Sequence, residues 1–325
     1  MRVAVAIHTL PVWSIPFSQV ERIRRLLPDD EVADARDPEA RRRAFAEAEV
    51  LFATKLSADE FALARRLRWV HSSAVGVGPL LSPALVASPV IVSSSKGVHS
   101  DAIAEHAIAL VLALRRRLHT AVQRQTARDW AQVELMAPVV PSLAETSMLV
   151  VGLGTIGERV ARMAAGLGML VVGIRRHPDR PAPHGVTRVL GPDALFDALP
   201  RADVVVLALP RTEETRAFIG RRELALMKPS SILVNIARGR LVDEDAVADA
   251  LEHGQIGAAG LDAFHVEPLP SDHRLWTLPN VLITPHSAAF AGDYWTPVVD
   301  LFLDNLSRFK RGAPLLNVVD KASGY

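Results

Sequence analysis

Met148-Leu149-Val150-Val151-Gly152-Leu153-Gly154-Thr155-Ile156-Gly157 decides the fold. The first four residues are apolar and read as a short buried strand. Three glycines follow at once, and Glu158-Arg159-Val160-Ala161-Arg162-Met163-Ala164 then continues as a helix. A strand, a glycine loop and a helix in direct succession are the context in which such a loop binds phosphate. Gly152 permits the tight turn, Gly154 lets backbone approach a pyrophosphate, and Gly157 lets helix and strand pack closely. The pyrophosphate then meets amide groups and the positive end of the helix dipole. Glycines alone often mark only a turn. The ordered setting favours a dinucleotide site.

Working outward, strands are expected at Met148–Val151, Leu170–Gly173, Val204–Leu207, Ile232–Asn235, Ala258–Leu261 and Val281–Thr284, with helices between them. Six strands is the count of a doubly wound dinucleotide-binding sheet. Upstream, strands are expected at Val3–Ile7, Val50–Phe52, Trp69–His71 and Val90–Val92, and a long helix at Asp101–Leu118 with Asp101 as its N-cap. Alternating strands and helices imply parallel α/β architecture in both halves. Trp130–Thr146 has little periodicity and reads as an arm or linker. A last helix, Tyr294–Phe309, is expected to cross back onto the N-terminal part and make that domain discontinuous.

The chain has 325 residues, 49% hydrophobic and 22% charged, which suits two globular domains. With no cysteine it has no disulfide, thiolate metal site or cysteine nucleophile, which fits a reducing, cytoplasmic setting. A net charge of +1 argues against an extended nucleic-acid surface. Met1–Ile7 lacks the longer apolar core and cleavage site of a signal peptide. The most apolar helix is too short to span a bilayer.

The second strand of the dinucleotide series ends in Ile174-Arg175-Arg176-His177. An NAD-preferring site usually carries an acidic residue here to accept bonds from the ribose hydroxyls. Arg175 cannot accept, but it can fork onto a 2′-phosphate, so NADP(H) is the expected cofactor, with NAD(H) possible. Three polar groups follow the fourth, fifth and sixth strands on the ligand-binding side of such a sheet. Arg238 follows Ile232–Asn235, Asp262 and Glu267 follow Ala258–Leu261, and His286 follows Val281–Thr284. Each alone has a bland reading as a solvated or satisfied polar residue. Together they supply an anion clamp, an acid/base and an orienting carboxylate.

These segments resemble the D-isomer-specific 2-hydroxyacid dehydrogenase family. The resemblance rests on Val151–Gly157, Leu226-Met227-Lys228-Pro229, Val234-Asn235-Ile236-Ala237-Arg238-Gly239, Leu241-Val242-Asp243-Glu244, Leu261-Asp262-Ala263-Phe264, Glu267-Pro268-Leu269-Pro270 and Thr284-Pro285-His286, with Leu67–Val77 and Ala104-Glu105-His106-Ala107 upstream. It implies a mechanism and a site. Arg238 would bind the substrate carboxylate and carbonyl oxygen, His286 would exchange the proton, and Glu267 would hold the imidazole. Val75 and Gly76 would offer backbone amides to the substrate carboxylate. Gly152, Gly154, Thr155, Ile156 and Gly157 would carry the pyrophosphate, and Arg175 and Arg176 would sit by the adenosine ribose. Pro210, Ile236, Ala237, Arg238, Asp262, His286 and Ala288 would line the cofactor groove. The fold implied is two Rossmann-like or flavodoxin-like domains with a cleft between them: 1–98 with 290–325 for substrate, and 99–289 for the dinucleotide. Hinges are expected near Lys96–Asp101 and Ala288–Gly292. A homodimer is implied through 102–141. The substrate implied is a small 2-oxo or 2-hydroxy acid of the glyoxylate or hydroxypyruvate type.

Gly78, Ser94-Ser95 and Glu145-Thr146 depart from the common pattern of that family. Glu267 argues against its formate-oxidising branch, which has glutamine there. A dinucleotide-sensing, corepressor-like binding protein is the alternative from another class, and no added recognition segment favours it. His99, His106 and Glu105 suggest a metal site only weakly, since no third ligand is spaced to join the histidines, and no metal is expected.

Overall fold

The computed structural model describes residues 1–8, 13–137 and 140–324, so Pro138 and Val139 of the expected arm lie outside the described residues. The chain forms two compact units, Met1–Val98 with Ala291–Tyr325, and His99–Phe290. Each is built on an all-parallel sheet.

The first unit holds β1 (Arg2–Ala6), β2 (Glu31–Asp34), β3 (Val50–Ala53), β4 (Trp69–Ser72) and β5 (Ile91–Ser94), in the order β2-β1-β3-β4-β5. This is the flavodoxin-like order, with its reversal between β1 and β3. The C-terminal helix Trp295–Lys310 packs on this sheet. Phe302 stacks on Phe52 at 4.3 Å and 3°, and on Trp69 at 5.6 Å. Val298, Val299 and Leu306 fill the same core.

The second unit holds β6 (Ser147–Val151), β7 (Leu170–Ile174), β8 (Arg188–Leu190), β9 (Val204–Leu207), β10 (Ile232–Asn235), β11 (Ala258–Leu261) and β12 (Val281–Ile283), in the order β12-β11-β10-β9-β6-β7-β8. The order reverses between β6 and β9, the point where such sheets bind ligands. β9, β10 and β11 are buried along their whole length, because helices cover both faces. On one side Leu110 and Leu114 of the long helix press against Gly260.

The sheets differ from the sequence expectation at their edges. β2 and β8 were not foreseen. Both are edge strands with no fully buried residue, so neither needs an apolar run to announce it. The long helix also differs. It spans Ser100–Arg115, with His99 at the cap position, Asp101 inside the first turn, and Arg117 in left-handed backbone at φ 52° ending the run. Asp101 instead pairs with Arg159 at 2.5 Å. A separate helix, Leu118–Thr126, follows the long one, and the expected arm beyond contains the short helix Gln132–Met136.

One buried polar chain in the first unit has a fixed direction. Trp69 Nε1–H donates to Ser93 Oγ at 2.9 Å, and because Ser95 gives its proton to the Ser72 carbonyl, a neutral His71 donates from Nε2 and accepts the Ser93 proton at Nδ1 at 2.8 Å. His71 Nε2–H then donates to Ser95 Oγ at 3.3 Å, and Ser95 donates to the Ser72 carbonyl at 2.8 Å. Burial pushes His71 down from 6.5 to about 3, in keeping with a neutral ring. Because the folded value is depressed, the unfolded chain takes up this proton first. Stability from His71 is therefore complete above pH 6.5 and declines as pH falls towards 3, by about 1.4 kcal/mol per pH unit. Urea unfolding between pH 7 and 5, followed by tryptophan fluorescence, should show His71→Gln with a shallower slope, the difference approaching one proton at the acid end. Parallel slopes for the two proteins would refute the neutral, buried assignment.

Candidate active site

The carboxyl ends of β6, β10, β11 and β12 carry the glycine loop and the expected catalytic residues of the second unit. After β6, Gly152 turns at φ 101°, with Ala208 backbone only 2.7 Å from where a Cβ would stand. A Cβ on Gly157 would lie 1.9 Å from the Gly152 carbonyl oxygen. Both glycines are thus demanded by the fold. Gly154 is different: its Cβ position meets nothing within 4 Å, and it caps the helix Thr155–Gly166 without a side chain. The first-turn amides of Thr155 and Ile156 have no partner within their own helix. An open backbone cradle at a helix start suits a dinucleotide pyrophosphate.

After β10, Asn235 is buried and shapes the turn. It accepts from Ala237 N–H at 3.1 Å and donates to the Arg238 carbonyl at 2.9 Å. Gly239 follows because a Cβ there would sit 1.9 Å from the Phe264 carbonyl carbon. That close approach sets the Arg238 turn directly against the loop after β11. Arg238 donates to the Ala237 carbonyl at 2.6 Å. Burial draws Arg238 below the ordinary arginine value, Glu267 opposes that, and Arg211 adds to it.

After β11, the loop is held from two directions. Glu267 Oε1 accepts Phe264 N–H at 2.9 Å, and Glu244 accepts His265 N–H. Glu267 Oε2 accepts from His286 Nδ1 at 2.7 Å. Burial raises the Glu267 carboxyl, but the bonds from His286 and Phe264 and the Arg238 charge outweigh it, so the group lies below the ordinary glutamate value. His286 itself stands in left-handed backbone at φ 52°. Few non-glycine residues tolerate this, and such outliers persist only where surroundings enforce them.

Asp262 supplies the enforcement. It is 1% exposed. Its Oδ1 accepts from Ser287 N–H at 2.8 Å and Thr284 Oγ1–H at 2.6 Å, and its Oδ2 accepts from Ala288 N–H at 3.1 Å. His106 Nε2 lies 3.0 Å from Thr284 Oγ1. The sequence places Asp262 on the cofactor groove; the structure adds that it binds the backbone just after His286 and the Thr284 hydroxyl just before it. His106 and Thr284 were not foreseen at the site, because 178 residues separate them and no spacing rule connects them.

The remaining expected residues are placed as follows. Arg175 donates to the carbonyls of Arg180 and Pro181, and Arg176 pairs with Glu214 at 2.7 Å. Pro210 accepts from Thr215 through its carbonyl at 2.8 Å after β9, and Ile236 and Ala237 are buried after β10. Val75 and Gly76 belong to the other unit, in the turn beyond β4, with Val75 exposed. Among the described residues no cluster of three or more metal-binding side chains occurs.

A parallel sheet with a phosphate-type glycine loop and an Arg–Glu–His set at its carboxyl ends defines a dinucleotide-dependent oxidoreductase. The chain belongs to the D-isomer specific 2-hydroxyacid dehydrogenase family: the family's NAD-binding domain matches residues 108–288, more than half of the chain. Its members are NAD(P)-dependent enzymes acting on CH–OH donors. A glyoxylate reductase of Korarchaeum cryptofilum is 34% identical over 275 residues, covering 83% of this chain and 81% of that protein. A D-3-phosphoglycerate dehydrogenase of Methanocaldococcus jannaschii is 33% identical over 82% of this chain and 50% of its own length. Among solved structures, the NADPH-dependent glyoxylate/hydroxypyruvate reductase of Sinorhizobium meliloti, in complex with NADP and sulfate, aligns with a TM-score of 0.84 at 26% identity over 99% of each chain.

The two kinds of glycine should separate experimentally. Gly154→Ala should leave thermal unfolding unchanged, since its Cβ has room, yet weaken NADPH binding. Gly239→Ala should lower both the melting temperature and turnover, because loop backbone must move. Fluorescence titration and calorimetry on both variants check this; a destabilised Gly154→Ala or an undisturbed Gly239→Ala would contradict the geometry.

Proposed function

We propose that the protein reduces a small 2-oxo acid to its 2-hydroxy acid with NADPH, with glyoxylate and hydroxypyruvate as the first candidates. The observation that carries this is the Glu267–His286 hydrogen bond at 2.7 Å beside Arg238. The cofactor supplies the hydride when bound. Arg238 holds the substrate carboxylate and polarises the carbonyl oxygen. Glu267 takes the Nδ1 proton of His286 in a hydrogen bond, which leaves Nε2 to give a proton to the carbonyl oxygen as it becomes a hydroxyl. Oxidation reverses each transfer. The substrate is proposed from similarity to the reductases above, and the cofactor from Arg175 together with the NADP-bound relative. Residues 99–289 serve as the dinucleotide domain, and 1–98 with 290–325 as the substrate domain. In the latter the Val75–Gly76 turn offers amides to the carboxylate. Gly152, Gly154, Thr155, Ile156 and Gly157 bind the pyrophosphate, and Arg175 with Arg176 binds the adenosine end. Pro210, Ile236, Ala237, Asp262 and Ala288 line the groove.

The protein is further proposed to act as a cytoplasmic homodimer. Trp130, Val133 and Met136 on the arm are 89%, 84% and 72% exposed, an apolar surface unusual on a solitary chain.

Steady-state kinetics across 2-oxo acids with both cofactors tests the main reading, and cofactor binding without turnover on any of them would defeat it. His286→Ala should lower kcat by about 10²–10⁴-fold while NADPH still binds. Near-normal turnover would remove His286 from the acid/base role. Arg175→Asp should shift the NADPH/NADH ratio of kcat/KM towards NADH, and an unmoved ratio would mean that Arg175 does not read the phosphate. Trp130→Asp should convert dimer to monomer in sedimentation velocity; a monomeric wild type would refute the dimer outright.

A further inference from the structure

His106 lies on the helix Ser100–Arg115, on which none of the proposed catalytic residues is carried. Its Nε2 is 3.0 Å from Thr284 Oγ1 and 3.6 Å from Asp262 Oδ1. The direction of these bonds follows from counting protons. Both Asp262 oxygens already accept backbone N–H groups, from Ser287 and Ala288. Thr284 therefore donates its single hydroxyl proton to Asp262 at 2.6 Å and has only lone pairs to offer His106. His106 must then present Nε2–H. The chain of donors runs from His106 through Thr284 to Asp262, and Asp262 fixes the backbone at Ser287 and Ala288, immediately after the left-handed His286.

We propose that His106 is a positioning residue for the reaction: through Thr284 it orients the Asp262 carboxyl that holds His286 in its left-handed turn. The inference rests on the acid/base reading of His286 given above. It gives a helical side chain, with no part in the chemistry, control over where the proton-transferring ring stands. Without the His106 donor, the Thr284 hydroxyl can rotate off Asp262, and the constraint on the turn weakens. A small displacement of a catalytic ring is enough to cost much of the rate.

The test separates orientation from simple packing. His106→Leu keeps bulk and removes the donor, whereas His106→Gln keeps an N–H near the Nε2 position. Thr284→Val breaks the chain from its other end while keeping shape, and Thr284→Ser preserves it. With NADPH and the best 2-oxo acid, His106→Leu and Thr284→Val should each lower kcat by roughly 10- to 100-fold. NADPH dissociation constants should change by less than about threefold, since the glycine loop is untouched. His106→Gln and Thr284→Ser should recover most of the rate, and the double variant His106→Leu/Thr284→Val should be no worse than the poorer single one. Turnover within about twofold of wild type in both His106→Leu and Thr284→Val would overturn the inference. So would a glutamine variant as slow as the leucine one, or multiplicative losses in the double variant. A wild type without turnover on any 2-oxo acid would instead bring down the acid/base reading, and this inference with it. An active wild type matched within about twofold by both His106→Leu and Thr284→Val brings down only the inference.

Discussion

A carboxyl group cut off from water must have its oxygens filled by donors, and Asp262 meets that demand with the backbone around His286. Everything at the site depends on this bond set. The left-handed conformation at His286 costs energy that a free loop would release. Two backbone N–H groups and a threonine hydroxyl converging on one buried carboxyl over-determine it. Removing Asp262 would leave those donors buried without partners, a larger penalty than the strain they enforce. The ring therefore stands where Glu267 can reach Nδ1, and where an unconstrained turn would not put it.

The second constraint is steric. Backbone passes closer than any Cβ allows at three glycines: between turns at Gly152 against Ala208 and at Gly239 against Phe264, and within the glycine loop at Gly157 against Gly152. In parallel sheets the turns at one end are neighbours because the strands are, about 4.8 Å apart. Glycine lets the turns after β10 and β11 touch, so Arg238 and Glu267 converge without a long loop to carry them. Arg238, Glu267 and His286 come from separate strands and still share one local field, as the effect of both Arg238 and His286 on the Glu267 carboxyl shows.

What the sequence announces follows from burial on two faces. β9, β10 and β11 are covered on both sides and appear as apolar runs, with Asn235 at the end of β10 the one polar residue. β2 and β8 lie at sheet edges, need no such run, and are silent. Arg238, Glu267 and His286 are legible because polar residues directly after apolar strands fall on the ligand side of an α/β sheet. His106 is not legible, for its meaning depends on a partner 178 residues away. The role of Asp262 was half legible. Its position after β11 pointed to the site, but which atoms it holds depends on the backbone path of the turn after β12. Arg175 shows the same limit: its type suggests a phosphate ligand, while its bonds to the Arg180 and Pro181 carbonyls arise from a loop without periodicity.

Charge counting connects these parts to the proposed chemistry. Arg238 and Glu267 together carry no net charge beside the imidazole. A protonated His286 makes the group cationic, and an arriving 2-oxo acid anion restores neutrality. Substrate and proton are thus favoured together by simple electrostatics in a partly buried site. Transfer of that proton to the carbonyl oxygen, as hydride reaches the carbon, yields a neutral hydroxyl and a neutral ring, leaving the carboxylate still on Arg238. The positive charge that leaves the ring would reappear on the oxidised nicotinamide, so the total charge beside the product anion would equal that beside the substrate. The proton and the hydride therefore exchange places without changing the charge around the acid, so the site can serve both directions, and the proposed role of Glu267 is to keep the ring aimed through both states.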